Sequence, residues 1–358
     1  MLSRVNILKQ KAFEQKGYDG FLIINNANMY YLSATQGASC LLIPKKGQSI
    51  IYVYSVNYEG VKAEAKGFDV EMMKRGENLV EKVAKQAKTC GIKKLAVDMI
   101  GAESYKVLMK NLRGDVKLKL RNDLVSELRS VKDAQELELM RKAGELTSIG
   151  MKAAQETIRA GVTEIGVAAE IEYAMRKELS WGTAFETSVA SGLHSAYPHG
   201  GCTERKIRKG DLVVVDIGAV YRHYCSDMTR TFVAGNSTSK QWKLYEIVKT
   251  AHDAAHEAIK PRAKAKDVDT AAREVIEKAG YGKHFVHGLG HGVGIEVHEA
   301  PTLNQASKEK LVIGSVVTNE PGIYVVGFGG IRIEDSELVQ KREAQKLTKG
   351  SYTLETAC

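Results

Sequence analysis

The sequence lacks the cysteine patterns of a disulfide-stabilised or zinc-bound scaffold. Its 358 residues include only five cysteines, an odd number without a CxxC pair, at Cys40, Cys90, Cys202, Cys225 and Cys358. Disulfide frameworks and structural cysteine zinc sites both need paired, suitably spaced cysteines, so neither organises this fold. We expect reduced thiols and a cytoplasmic protein.

Long apolar runs are also missing. No stretch approaches the roughly 18 residues of a membrane-spanning helix. The opening segment MLSRVNILKQ has neither the continuous apolar region nor the cleavage site of a signal peptide. With 44% hydrophobic and 27% charged residues, the composition is typical of a globular protein. The sequence therefore predicts no membrane partner and enough length for two ordinary domains.

Histidine is absent from the first half of the chain, and charge is distributed just as unevenly. All nine histidines lie between His194 and His298. The net charge of +9 belongs entirely to residues 1–125, which hold 21 basic and 12 acidic residues. Because the lysines of this region are scattered among acids, we interpret them as a solvated surface and expect no nucleic-acid partner. Two regions with different chemistry are indicated.

The first region has the pattern of a small α/β domain. Short apolar runs, such as residues 20–24 and 50–54, alternate with helical patterns. We assign this domain to residues 1–124. The charged stretch 125–140 is predicted to be a linker and the start of a long amphipathic helix, and the second domain is assigned to 125–358.

The second region contains a degenerate internal repeat. AAQETI at 153–158 and AAHEAI at 254–259 agree at four of six positions. Farther on, GDLVVVD and GSVVTNE both run from a glycine through an apolar strand to an acid, Asp216 in one copy and Glu320 in the other. The pattern predicts two helix-helix-hairpin units, an α+β domain with an internal pseudo-twofold repeat.

Each copy of the repeat continues to a second acid, Asp227 in the first and Glu334 in the second. A single acid at the end of a strand is more often solvated than functional, but acids at matched positions in two copies favour a shared site. Four carboxylates brought together would repel one another and raise each other's pKa unless cations were present. The repeat therefore predicts a site for two divalent cations.

A histidine-rich segment supplies a further candidate ligand. HGLGHGVGIEVHE carries His287, His291 and His298 among glycines that disfavour a helix. One imidazole added to an oxygen-rich ligand set suits Mn²⁺, Co²⁺ or Zn²⁺ better than a structural zinc site. Paired ions of this kind lower the pKa of a shared water, which is the chemistry of a hydrolase.

Two other residues are candidates for contacts around the ions. His199 lies in a loop rich in glycine and proline that precedes the first predicted strand of the site. Arg332 lies two residues before Glu334, so strand alternation places both on one face. We expect His199 to reach a substrate and Arg332 to support the carboxylates.

A second pair of histidines resembles a different metal motif. His252 and His256 have the i, i+4 spacing of a zinc peptidase helix. Asp253 stands where such a site has its glutamate base, so we expect a surface helix here instead.

Four segments resemble the signature blocks of the pita-bread metallopeptidases. They are SGLHSAYPHG, VVDIGAVYRHYCSDMTRTF, HGLGHGVGIEVHEAP, and NEPGIY followed by GGIRIED. Within that superfamily they are most similar to the proline-specific branch of Xaa-Pro dipeptidases (prolidases) and aminopeptidases P. The segment GFLIINNANMYYLS resembles the start of the creatinase-type N-terminal domain of the same branch, so the resemblance covers essentially the whole chain.

By position, the resemblance implies a metal-ligand role for five residues. Asp216 and Asp227 would bind one ion, with Asp227 bridging. His291 and Glu320 would bind the other ion, and Glu334 would bridge both.

The resemblance also implies roles for residues around the substrate. His298 would steady the tetrahedral intermediate, and His199 would contact the substrate near the scissile bond. His287 would line the pocket for the residue after the cut. Tyr324 and Arg332 would support the substrate or the bridging carboxylates.

The implied activity is hydrolysis of Xaa-Pro bonds by a hydroxide bridging two divalent metals, with Mn²⁺ or Co²⁺ foremost and Zn²⁺ as a further candidate. Glu320 would relay the proton to the leaving nitrogen. The resemblance also bears on substrate size, because a longer connection than the one between Glu320 and Glu334 is frequent in aminopeptidases P. The short connection and compact length here favour small peptides with proline in the second position, that is, Xaa-Pro dipeptides. An aminopeptidase P acting on longer Xaa-Pro peptides stays the alternative.

Two other functions are compatible with this fold class. Relatives that have lost their ligands serve as peptide- or histone-binding modules, and creatinase-type hydrolysis proceeds without metal. Both are disfavoured because all five ligands are present. The resemblance further implies a homodimer.

Overall fold

The computed structural model describes residues 3–114 and 116–356, and Cys358 lies outside the described residues. The chain divides into two compact units between Arg129 and Ser130. Our expected boundary after residue 124 falls inside a helix of the first unit. The last residue of that helix, Arg129, donates a hydrogen bond to the buried Asn28 of the first unit, which ties the helix to it.

The first unit consists of six strands and six α-helices in the described part. The strands are β1 Gly20–Ile23, β2 Cys40–Pro44, β3 Ile50–Tyr54, β4 Asp69–Met73, β5 Lys94–Val97 and β6 Lys117–Leu120. The helices are α1 Arg4–Lys9, α2 Asn26–Ser33, α3 Tyr58–Glu64, α4 Leu79–Thr89, α5 Ala102–Leu112 and α6 Asn122–Arg129. The α/β alternation predicted for this region is confirmed.

The six strands form one mixed sheet in the order β4-β3-β2-β1-β5-β6. The pairs β1-β2 and β2-β3 are antiparallel, whereas β1-β5, β5-β6 and β3-β4 are parallel. The central strands are apolar throughout, as in the run Phe21–Ile23, because helices cover the sheet and bury both faces.

The second unit contains two pairs of long α-helices. They are α7 Ala134–Thr157 with α8 Glu164–Lys177, and α9 Ser239–Ala258 with α10 Ala265–Lys278. The first helix of each pair begins with a capping box, formed by Asp133 with Glu136 and by Thr238 with Gln241. The long helix predicted from the charged stretch 125–140 therefore starts at Ala134.

The strands of the second unit follow each helix pair. After α8 come β7 Gly182–Thr183, β8 Ser188–Ser191, β9 Leu212–Ile217, β10 Ala219–Tyr221, β11 Tyr224–Cys225 and β12 Met228–Val233. After α10 come β13 Gly290–Gly292, β14 Glu299–Leu303, β15 Val316–Asn319, β16 Gly322–Val325, β17 Gly329–Arg332, β18 Asp335–Leu338 and β19 Gln345–Lys346.

Each half of the second unit has its own apolar core. One core packs α7 and α8 against β9 and includes Leu146, Ile171 and Val215. The other packs α9 and α10 against β15 and includes Val248 and Val317. Two helix pairs, each followed by strands, confirm the predicted α+β architecture with an internal repeat.

The expected surface position of His252 is wrong. Its side chain is fully buried, and its Nε2 lies 3.2 Å from Oδ2 of the equally buried Asp335. Arg230 Nη2 donates to the other oxygen of that carboxylate at 2.9 Å. The sequence around His252 carries no sign of this, because Arg230 and Asp335 come from distant strands. The second histidine, His256, is partly exposed and lies 2.6 Å from Glu337.

None of the helices in the two described ranges combines the length and the apolar character required to cross a membrane.

Candidate metal centre and active site

The four predicted carboxylates lie at matching places in two strand pairs. In the first pair, β9 and β12 are antiparallel, Asp216 is opposite Thr229, and Asp227 directly precedes β12. In the second pair, β15 and β18 are antiparallel, with Glu320 directly after β15 and Glu334 directly before β18. Antiparallel pairing thus brings two acids together in each copy of the repeat.

The acids of the two copies meet around His291, which lies on β13. One ligand atom each from Asp227, His291 and Glu334 fall within 4.8 Å of one another. His291 Nε2 is also 3.4 Å from Glu320 Oε1 and 3.7 Å from Asp227 Oδ2. An imidazole nitrogen and carboxylate oxygens from both copies therefore converge on one point.

The charge distribution at this point favours a bound cation. Burial raises the pKa of Asp227 and of Glu334 well above the usual range, and the neighbouring carboxylates raise both further. Burial also raises the pKa of Glu320 to about 8. Asp216 Oδ1 is buried and has no hydrogen-bond partner in the described part of the chain. Divalent cations would supply the missing positive charge, so the donor set fits them.

His291 is held in the form that binds a metal. Its Nδ1 lies 3.1 Å from the carbonyl oxygen of Gly292, which can only accept, so Nδ1 carries the proton. Burial lowers the pKa of His291 to about 4. The imidazole is therefore neutral at physiological pH, and the Nε2 lone pair faces the carboxylates.

A buried arginine connects the acids to a tyrosine. Arg332 Nη2 donates to Asp216 Oδ2 at 2.5 Å, and its Nη1 donates to the Tyr324 hydroxyl at 2.8 Å. The Tyr324 hydroxyl lies 3.1 Å from His287 Nε2. Because Nδ1 of His287 donates to the carbonyl of Gly288 at 2.8 Å, Nε2 accepts from the tyrosine. Burial lowers the pKa of His287 to about 4, in agreement with this neutral form.

These groups border a cavity of about 700 Å³. Nine of the ten residues singled out in the sequence line it: His199, Asp216, Asp227, His287, His291, His298, Glu320, Arg332 and Glu334. Tyr324 is not among the lining residues and contacts the cavity wall through His287 and Arg332. The sequence thus located the residues of one site, whose individual roles stay predictions.

Two of the predicted substrate residues face the open part of this cavity. His199 and His298 are both exposed, whereas Asp227 and Glu334 are buried. The His298 ring lies 4.2 Å from the ring of His291, centroid to centroid. Both imidazoles are therefore accessible to a molecule in the cavity, where they can donate hydrogen bonds.

Two threonines that were not predicted from the sequence fix the carboxylates. The Thr229 hydroxyl donates to Glu334 Oε2 at 2.6 Å and accepts from Arg332 Nε at 3.0 Å. The Thr318 hydroxyl donates to Glu320 Oε1 at 3.1 Å. Each threonine lies two residues from a predicted ligand on the chain, and strand alternation places such residues on one face. This two-residue spacing is the feature of the sequence that could have identified both threonines.

Comparison with known proteins is consistent with this geometry. Residues 7–131 match the Creatinase/Prolidase N-terminal domain, and residues 138–341 match Metallopeptidase family M24. The Xaa-Pro dipeptidase of Pyrococcus furiosus is 39% identical over 95% of this chain and 96% of its own length.

Solved structures give the same result. The Xaa-Pro dipeptidase from Bacillus anthracis has a TM-score of 0.92 at 35% identity, covering 98% of both chains. The X-Pro aminopeptidase from Thermotoga maritima has a TM-score of 0.86 at 34% identity, covering 95% of this chain and 99% of its own.

Fold and site together define a two-domain metallopeptidase of the pita-bread class, in which an α/β domain precedes the domain that carries the candidate metal ligands. The chain belongs to Metallopeptidase family M24.

Proposed function

We propose that this protein hydrolyses Xaa-Pro dipeptides with two divalent metal ions. The observation that carries this proposal is the convergence of Asp227, Glu334 and the neutral His291 at the base of a cavity. Similarity over nearly the full length to relatives named Xaa-Pro dipeptidase supports the substrate class.

Five residues would hold the ions: Asp216, Asp227, His291, Glu320 and Glu334. When bound, divalent cations polarise the scissile carbonyl and lower the pKa of the attacking water. We propose Mn²⁺ or Co²⁺, with Zn²⁺ as a further candidate, because four carboxylates and one imidazole form an oxygen-rich donor set.

The chain's own residues would bind the peptide and move the proton. Glu320, between the Thr318 hydroxyl and the cavity, would take a proton and pass it to the leaving imide nitrogen. His298 and His199, both exposed to the cavity, would donate hydrogen bonds to the carbonyl oxygen as negative charge develops there. His287, fixed by Tyr324, would form the wall of the pocket for proline.

Metal analysis and two substrates test the proposal. The purified protein is expected to contain about two divalent ions per chain and to cleave Met-Pro. Exclusive cleavage of a Met-Pro-Ala tripeptide would instead identify an aminopeptidase P. The similarity of this chain to the X-Pro aminopeptidase from Thermotoga maritima supports that alternative. Protein that binds no metal and cleaves neither peptide would indicate a binding module.

Location and assembly belong to the same proposal. Four cysteines in the described residues are free thiols, which supports a reducing, cytoplasmic compartment. We also propose a homodimer, as the family resemblance implies, and light scattering of the purified protein tests it. The absence of nucleic-acid and membrane partners stays a prediction.

A further inference from the structure

Among the buried carboxylates of the second unit that lie outside the metal centre, two lie on corresponding helices of the repeat. Glu164 is the first residue of α8, and Asp269 lies in α10, the corresponding helix of the second repeat. Both are 0% exposed, and neither lines the cavity. Burying an ionised carboxylate is unfavourable unless its oxygens are fully hydrogen-bonded, so the partners of these two groups show what they do.

Glu164 joins the two ends of the segment that carries His199. Its Oε1 accepts from the backbone N–H and the hydroxyl of Ser191 at 2.7 and 2.6 Å. Its Oε2 accepts from the backbone N–H and the hydroxyl of Thr203 at 3.0 and 2.5 Å. His194, inside the segment, lies 3.3 Å from both oxygens. One carboxylate thus closes the loop between residues 191 and 203.

Asp269 contacts the segment that carries His287 both directly and through an arginine. Its Oδ1 accepts from the backbone N–H of Leu289 at 2.9 Å. It also pairs with Arg273, whose Nε and Nη2 donate to its two oxygens at 2.8 and 3.0 Å. Arg273 in turn donates to the carbonyl oxygens of Phe285 and His287 at 3.1 and 2.8 Å. The backbone on both sides of His287 is therefore fixed to α10.

The two arrangements correspond across the repeat. In each copy, the second helix supplies a buried carboxylate that accepts from the backbone of a histidine-bearing segment on the cavity, through two N–H groups for Glu164 and one for Asp269. We propose that Glu164 and Asp269 are positioning residues, Glu164 for His199 and Asp269 for His287. This inference rests on the proposed function, in which both histidines contact the substrate.

Double-mutant cycles separate positioning from general stabilisation. In the fully metallated protein, Glu164→Gln replaces one acceptor oxygen with a donor facing an N–H or hydroxyl, and Asp269→Asn does the same. Each is expected to lower kcat/KM for Met-Pro by about 10-fold to 100-fold, since a misplacement of about 1 Å in a substrate-contacting group can cost about 100-fold. In a His199→Ala background the effect of Glu164→Gln should fall below about 2-fold, whereas that of Asp269→Asn should persist. A His287→Ala background should give the reverse.

The matched control is Asp98→Asn in the first unit. Asp98 is also buried and accepts backbone N–H bonds, from Ile24 and Asn25, but is tied to neither histidine segment. Any decrease in kcat/KM that Asp98→Asn causes should be the same in the wild-type, His199→Ala and His287→Ala proteins. Should Glu164→Gln fail to fold, Ser191→Ala combined with Thr203→Val removes the hydroxyl donors while keeping the carboxylate, and should show the same coupling to His199.

Hydrogen exchange tests the same inference without catalysis. Glu164→Gln is expected to speed amide exchange within residues 192–202 and not within 285–289, and Asp269→Asn the opposite. The proposal would be overturned if each carboxylate variant lowered kcat/KM by the same factor with and without each histidine, and if amide exchange in both segments were unchanged. Wild-type protein that leaves Met-Pro intact would contradict the proposed function alone, because the exchange pattern still decides whether the carboxylates fix the segments.

Discussion

The buried Arg332 and the partly buried Asp216 form an ion pair in which Nη2 lies 2.5 Å from Oδ2. The side chains are 4% and 22% exposed, so little water screens the pair. The guanidinium neutralises one carboxylate of a crowded acidic group, and its remaining nitrogens bind Thr229 and Tyr324. A single residue thus links three elements of the site.

Replacing this arginine with lysine tests that link. Arg332→Lys keeps a positive charge, but an ammonium cannot reproduce the planar set of donors that reaches Asp216, Thr229 and Tyr324 together. We expect kcat/KM for Met-Pro to fall by at least about 10-fold, while the protein stays folded by circular dichroism. Arg208→Lys on the surface is the control and should be near wild type. Equal activity of the two variants would show that the shared contacts are unimportant.

Neutralising a central carboxylate should remove metal. In Asp227→Asn and Glu334→Gln, one charged oxygen ligand becomes a weaker neutral amide, so bound metal measured by mass spectrometry should fall below about one ion per chain, with loss of turnover. Asp253 is a partly exposed acid on α9 that is not among the proposed ligands. The control Asp253→Asn should keep wild-type metal content. A metal-replete, fully active Asp227→Asn protein would contradict the assignment of the centre.

The Thr229 hydroxyl should affect metal affinity without being a ligand. Thr229→Val keeps the shape of the side chain but removes the hydrogen bond to Glu334, so affinity measured by calorimetry should fall by about 10-fold to 100-fold. Thr231→Val is the matched control on the same strand, since that hydroxyl bonds the backbone of Arg332 instead. Thr229→Ser should retain most of the affinity. Similar losses in the two valine variants would point to strand packing.

Gly290 should not tolerate a side chain. A Cβ there would lie 2.2 Å from the Thr318 carbonyl oxygen, so Gly290→Ala must separate β13 from β15 and displace His291. Overpacking of this kind costs about 1–3 kcal/mol, and we expect a lower Tm together with weaker metal binding. Gly60→Ala in α3, where a Cβ meets nothing within 4 Å, should be neutral or stabilising. A Gly290→Ala protein with unchanged Tm would contradict the close approach.

The His256–Glu337 contact predicts a pH-dependent contribution to stability. The hydrogen bond to Glu337, 2.6 Å away, raises the pKa of His256 above its usual 6.5 despite partial burial. A raised pKa means that the stabilisation is complete below the unfolded-state value and is lost as the pH rises through the higher folded-state value. The difference in free energy of unfolding between wild type and His256→Gln should therefore be largest near pH 6 and shrink towards pH 9 in urea titrations. A constant difference would exclude protonation as its source.

Much of this protein could be predicted from its sequence because the information was local or repeated. The apolar runs gave β1 and β3, since a covered mixed sheet requires strands that are apolar on both faces. The repeat aligned Asp216 with Glu320. Antiparallel pairing of neighbouring segments then required Asp227 to lie close to Asp216 and Glu334 to lie close to Glu320. Spacing and donor chemistry pointed to the segment with His287, His291 and His298, and the family resemblance singled out His291 as the ligand.

Other features depend on partners far apart in the chain. His252 looked like a surface residue until the fold placed Asp335 beside it. Glu164 and Asp269 belong to no motif of the sequence, and only the path of the chain brings residues 191, 203 and 289 to them.

The sequence by itself thus determined the repeat and its matched acids and, through the resemblance of its signature segments, the fold class and the residues expected around the site, since repeats, spacing and motifs are properties of short segments. Only the tertiary structure decided which oxygen faces which donor, that Arg332 pairs with Asp216, and that His291 and His287 present Nε2 to their neighbours. These depend on burial and on distances between distant segments, which no local pattern encodes.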